Sequence, residues 1–127
     1  MADNLANALN AVKVSEGKGK HEIVVPASKL IREVLAILQR EGYIGDFEFR
    51  EDGKSGNIRV GLKGKVNNCG IVSPRFSAKQ DEWEKWEQRY LPARNVGMLI
   101  ISTSKGLLTN AQAREQGVGG RLLAFVY

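Results

Sequence analysis

The sequence has one cysteine, Cys69, and one histidine, His21. A lone cysteine excludes an intramolecular disulfide, and with one histidine beside it a zinc site of the usual Cys and His composition cannot be assembled. Disulfide-stapled secreted scaffolds and zinc fingers are excluded. Prolines number three and aromatics make up 7% of the 127 residues. No apolar run approaches the roughly 20 residues a membrane helix needs, so no membrane partner is expected. Met1-Ala2-Asp3-Asn4-Leu5 lacks the basic start and apolar core of a signal peptide. The expected setting is reducing and cytoplasmic. A chain this long buries about two-thirds of the surface its unfolded form exposes, and 43% hydrophobic residues supply a core without disulfide, metal or cofactor.

What is abundant is positive charge. Lysine plus arginine number 19 against 14 acids, a formal +5. Its placement matters more than its sum. Lys54, Arg59, Lys63, Lys65, Arg75 and Lys79 fall in a stretch without a single acid, and Arg89, Arg94, Lys105 and Arg114 fall in another. Between them lies the acidic Asp81-Glu82-Trp83-Glu84-Lys85-Trp86-Glu87. Such patterning suits an anionic partner, nucleic acid above all, although solvated basic faces give the same count.

Periodicity orders the elements. Leu5, Ala8, Leu9 and Val12 repeat at helical spacing behind Asp3 and Asn4, and Gly17-Lys18-Gly19 closes that helix. His21 to Val25 reads as a strand. Ser28 then caps a helix carrying Leu30, Ile31, Val34, Leu35, Ile37 and Leu38 inward, stopped by Gly42. Tyr43–Phe49 and Asn57–Leu62 alternate as strands around a turn at Asp52–Gly56, with Phe47 and Phe49 on one face and Ile58, Val60 and Leu62 on another. The second half begins with a strand-like Gly70–Phe76 broken by Pro74. Met98–Ser102 follows as a buried strand, a capping box at Thr109–Gln112 opens a short helix ending at Gly117, and Arg121–Tyr127 closes as a strand. The fold class is α+β with two small subdomains: an N-terminal αβαββ unit over 1–65 and a β-rich unit with one short helix over 66–127.

Catalytic signatures fail on context. Gly53-Lys54-Ser55 mimics the end of a phosphate-binding loop, but the earlier glycine would fall at Glu48 and the segment lies in a hairpin. Ser102-Thr103-Ser104-Lys105 matches Ser-x-x-Lys without the large helical enzyme that motif needs. His21 has no paired acid or base, and Cys69 reads as a small buried thiol. No enzyme, small-molecule substrate or catalytic residue is expected.

Two segments suit nucleic acid instead. Ser102-Thr103-Ser104-Lys105-Gly106 places hydroxyls, a cation and a glycine directly after a buried strand, where they can approach an RNA backbone. Ser28-Lys29 joins a hydroxyl cap and a cation at a helix N-terminus. Trp83, Trp86 and Tyr90, at i, i+3 and i+7, fit packing better than base stacking. An alternative use of the Trp83/Trp86 segment is as the surface of a protein-interaction module.

Six separated motifs together give the chain a more specific likeness. Pro26-Ala27-Ser28-Lys29, Gly42-Tyr43-Ile44-Gly45-Asp46-Phe47-Glu48, Ser73-Pro74-Arg75-Phe76, Tyr90-Leu91-Pro92-Ala93-Arg94, Ser102-Thr103-Ser104-Lys105-Gly106 and Gly117-Val118-Gly119-Gly120 occur in one order. In these the sequence resembles the small-subunit ribosomal protein eight family, in its archaeal and eukaryotic form. The resemblance implies a primary binder of the central domain of small-subunit rRNA that helps assemble the platform, a monomer within the ribosome among neighbouring small-subunit proteins. It also implies that Ser102, Thr103, Ser104, Lys105 and Gly106 meet an irregular RNA helix, with Asn7, Ser28 and Lys29 touching a minor groove. Arg75 and Arg94, the basic residues of two of the motifs, complete the set.

Overall fold

Hydrophobic spacing dictates the N-terminal elements. The structure is a computed structural model that describes residues 4–51, 53, 56–73, 75–93 and 96–127. Helix α1 (Asn4–Gly17) buries Leu5, Ala8, Leu9 and Val12, the face their i, i+3, i+4, i+7 spacing defines. Strand β1 (Glu22–Pro26) leads to helix α2 (Lys29–Arg40), whose buried stripe is Ile31, Val34, Leu35, Ile37 and Leu38. Strands β2 (Ile44–Arg50) and β3 (Asn57–Leu62) complete an antiparallel sheet of order β1-β3-β2. Helix α1 packs on β1 and α2 on β2.

Register corrects one expectation. Phe47 pairs with Val60 and Phe49 with Ile58, and directly opposed residues of an antiparallel pair share a face. All four therefore lie together instead of on separate faces. Ile58 and Val60 are fully buried while Phe49 stays 46% exposed.

Residues 1–69 and 70–127 form two compact units. In the first, the Glu16 carboxylate accepts from the amides of Gly64 at 3.1 Å and Val66 at 2.9 Å, tying the segment after β3 back to α1. The Cys69 thiol donates to the Leu9 carbonyl at 3.2 Å.

The second unit contains strand β4 (Cys69–Ile71) from Gly70 onward, with β5 (Ser77–Ala78), β6 (Met98–Thr103), β7 (Gly106–Thr109) and β8 (Gly120–Val126). The sheet order is β4-β8-β6-β7, with β5 also pairing with β8. Helices α3 (Trp83–Tyr90) and α4 (Asn110–Gln116) belong to this unit, whose core joins Trp83, Trp86, Leu99, Ile101, Ala113 and Leu122. The expectation of one short helix here was too few: the helical spacing of Trp83, Trp86 and Tyr90 builds α3 despite its acidic flanks. The strand expected over Gly70–Phe76 is limited to Cys69–Ile71, with the Val72 amide still donating to the Leu123 carbonyl at 2.9 Å. Helix α4 opens on the expected capping box of Thr109 and Gln112 and ends at Gly117, whose φ is +66°.

Candidate nucleic-acid interface

The hydroxyl-rich segment is a tight hairpin, not an open loop. Ser102 and Thr103 end β6, Gly106 begins β7, and only Ser104 and Lys105 form the turn. Strand β6 is well suited to hold it, since Leu99, Ile100 and Ile101 are all fully buried. The Lys105 amide donates to the Thr103 hydroxyl oxygen at 3.0 Å, and that hydroxyl donates to the Gly106 carbonyl at 2.8 Å. Gly106 has φ +100°, a conformation costly for any residue with a Cβ. The three hydroxyls thus divide their work. Thr103 locks the turn, Ser104 and Lys105 stand exposed at the tip, and Ser102 stands exposed on the strand.

Sequence reasoning did not find the neighbours of Ser102. Across β8 its partner is Arg121, and across the next strand Arg121 pairs with Ser77. All three are exposed. Pairing between distant strands is not readable from local pattern, but Gly119-Gly120 was a visible signal. A Cβ at Gly120 would stand 2.4 Å from the Ser102 carbonyl oxygen, and one at Gly119 would stand 2.6 Å from that of Ala78. Bare backbone at both positions lets β5, β8 and β6 close up beside Arg121. Arg75 is exposed two residues before Ser77. Arg94 lies outside the described residues.

In the first unit, the Ser28 hydroxyl oxygen accepts from the Ile31 amide at 3.1 Å as the N-cap of α2. That bond leaves the hydroxyl proton to be donated outward. Lys29 follows, exposed, and both line a groove of about 430 Å³ with Ala27, Arg32, Glu33 and Phe49. The Arg32 guanidinium lies 4.7 Å over the Phe49 ring. Sequence reasoning missed that pair too, although Arg32 stands one helical turn beyond Ser28. Asn7 is exposed on α1.

Acid-free in sequence is not acid-free in space. Arg59 pairs with Glu22 at 2.7 Å and with Glu48 at 3.1 Å. Hydrogen bonds from Arg50 first and Arg59 second hold the Glu48 carboxyl below its ordinary range. Arg114 pairs with Glu87 at 2.6 Å, and the Asn110 amide group also donates to Glu87. The acidic segment thereby serves α3–α4 packing. Arg89 lies over the rings of Phe76, Trp86 and Tyr90. Among the described residues neither Lys105 nor Arg121 has an acidic partner, so the unneutralised charge nearest Ser102 sits at the hairpin and on β8.

The alternative reading of Trp83 and Trp86 as a partner surface is overturned by their burial, with 1% and 6% exposure. Trp86 stacks between Phe76 at 5.0 Å and Tyr90 at 6.5 Å, and both indoles belong to the core.

Two short polar sites therefore stand on rigid elements, one in each unit, and the hairpin is the better built. Over residues 3–127 the chain matches the family described as ribosomal protein S8.

Proposed function

Because the chain belongs to the ribosomal protein S8 family and is therefore a small-subunit ribosomal protein, we propose that it binds the central domain of small-subunit rRNA directly and early, and helps assemble the platform. In this reading it acts without catalysis, as one copy in the cytoplasmic ribosome, beside neighbouring small-subunit proteins. The carrying observation is the Thr103-locked hairpin, which holds Ser104 and Lys105 exposed on a buried strand.

The chemistry fits RNA of irregular shape. The major groove of a regular A-form helix is too deep and narrow for side chains, so recognition depends on minor-groove edges, ribose hydroxyls and unstacked bases. Serine hydroxyls both donate and accept, which suits 2′-OH and base edges, and Lys105 supplies attraction to phosphate. Ser28 and Lys29 form a second foothold at the start of α2, with Asn7, Arg75 and Arg94 as supporting contacts.

The test is binding of the whole chain to a transcript of the central domain. Ser104→Leu is expected to weaken binding about tenfold, or about 1.4 kcal/mol, with an unchanged melting temperature. Equal affinity of variant and parent would remove the hairpin from the interface.

A further inference from the structure

The geometry points to Arg121 as a phosphate contact that carries the RNA footprint sideways from the hairpin, across β8 toward β5. This rests on reading Ser102–Gly106 as the rRNA site. The registers Ser102↔Arg121 and Ser77↔Arg121 place the three side chains in one row on one face of the sheet. Two interstrand steps of roughly 4.8 Å make that row roughly 10 Å long. All three residues are exposed.

The row has the composition of a ribose-phosphate track. A guanidinium offers a planar fork of N–H donors that grips a phosphate in two places. The serine on either side can donate to or accept from a ribose 2′-OH. An acidic peptide would satisfy the arginine but leave the flanking hydroxyls without a matching sugar, so the row favours RNA.

Two further observations separate Arg121 from an ordinary surface arginine. Other arginines of the described residues are already engaged, by acids at Arg59, which holds Glu22 and Glu48, and at Arg114, which holds Glu87, and by aromatic rings at Arg32 and Arg89. Arg121 has no such partner among the described residues. The backbone beside it is also specially built, since a Cβ at Gly120 would meet the Ser102 carbonyl oxygen at 2.4 Å. The close approach of β8 to β6 that brings Arg121 next to Ser102 depends on that missing side chain.

The experiment is a salt titration of binding, using the full chain and a central-domain transcript between 50 and 200 mM salt. Loss of one phosphate contact should flatten the slope of log K against log salt by about 0.7 to 0.9. Arg121→Gln is expected to show that change and weaker binding, with an unchanged melting temperature. Arg121→Lys, which keeps the charge, is expected to retain the parent's slope. An Arg121→Gln slope equal to the parent's, alongside weakened Ser104→Leu, overturns the inference and leaves the hairpin reading standing. Parental affinity in Ser104→Leu as well overturns both.

Discussion

The Thr103 hydroxyl donates to the carbonyl oxygen of Gly106 across 2.8 Å, closing the two-residue turn that presents Ser104 and Lys105. The Thr103 hydroxyl oxygen in turn accepts from the Lys105 amide at 3.0 Å. Thr103→Val keeps the β-branched shape and removes both bonds. At about 1 kcal/mol net for a typical hydrogen bond, stability should fall by about 1 to 2 kcal/mol. Thr103→Ser should retain most of it. Urea denaturation of both variants checks this, and an unchanged midpoint in Thr103→Val would deny the hydroxyl its locking role.

Gly120 offers a sharper contrast. A Cβ there would press on backbone, the Ser102 carbonyl oxygen, which cannot swing aside as a side chain can. Gly120→Ala should cost roughly 1–3 kcal/mol, the range for overpacking. Gly17 has nothing within 4 Å of the equivalent position. Gly17→Ala should be neutral or gain about 0.4–1 kcal/mol by restricting the unfolded chain. Thermal unfolding of the pair checks the ordering, and equal melting temperatures would contradict it.

Local pattern made the first unit legible because its signals lie within single elements. The stripe of α2 and the cap at Ser28 are read from residues three and four apart. Thr109 and Gln112 announced α4 in the same way. Long-range pairing is different. Phe47 opposite Val60 and Ser102 opposite Arg121 are set by registers between separated segments, and no local period encodes them. Helix α3 carries its period in only three residues, Trp83, Trp86 and Tyr90, whose spacing reads as packing without fixing an element, and one of its acids, Glu87, meets Asn110 across the fold. The hairpin residues were visible as a segment, while the division of labour among three hydroxyls depends on hydrogen bonds only the fold reveals.

Glu87 joins α3 to α4 through two partners of unequal importance. Asn110 is buried, with 8% exposure, and its carbonyl oxygen also accepts from the Leu99 amide at 3.0 Å. Arg114 is largely exposed on its side of the pair. Removing the carboxylate strands a buried amide, which costs about 1–3 kcal/mol. Removing the exposed guanidinium costs about 0–1 kcal/mol. Glu87→Ala should therefore destabilise clearly more than Arg114→Ala. Chemical denaturation of the two variants measures the difference, and the reverse order would show that the surface pair dominates.

Electrostatic attraction to RNA should appear as salt sensitivity of the whole chain. With about four phosphates neutralised, affinity falls roughly 100-fold between 50 and 200 mM salt. Arg59→Gln should alter this little, because Glu22 and Glu48 already occupy its guanidinium. A flat salt response in the parent would reject the phosphate footprint, and a large change in Arg59→Gln would show that its acidic partners yield to RNA.

Cys69 links burial to stability at alkaline pH. Burial pushes the thiol's pKa up to about 11 from an ordinary 9.0, with nearby Lys13 only partly opposing it. The native thiol stays protonated and donates to the Leu9 carbonyl, whereas the unfolded thiol ionises near 9.0. Between those values the unfolded chain binds fewer protons than the native one, so stability falls as pH rises. The contribution is whole below about pH 9 and lost progressively toward about pH 11, by at most about 3 kcal/mol. Comparing the parent with Cys69→Ala isolates the thiol from every other group of the chain. The stability difference between the two should shift against the parent from pH 8.5 to pH 10.5, a window set by these ionisations. A constant difference across that range would mean that the thiol ionises alike in both states.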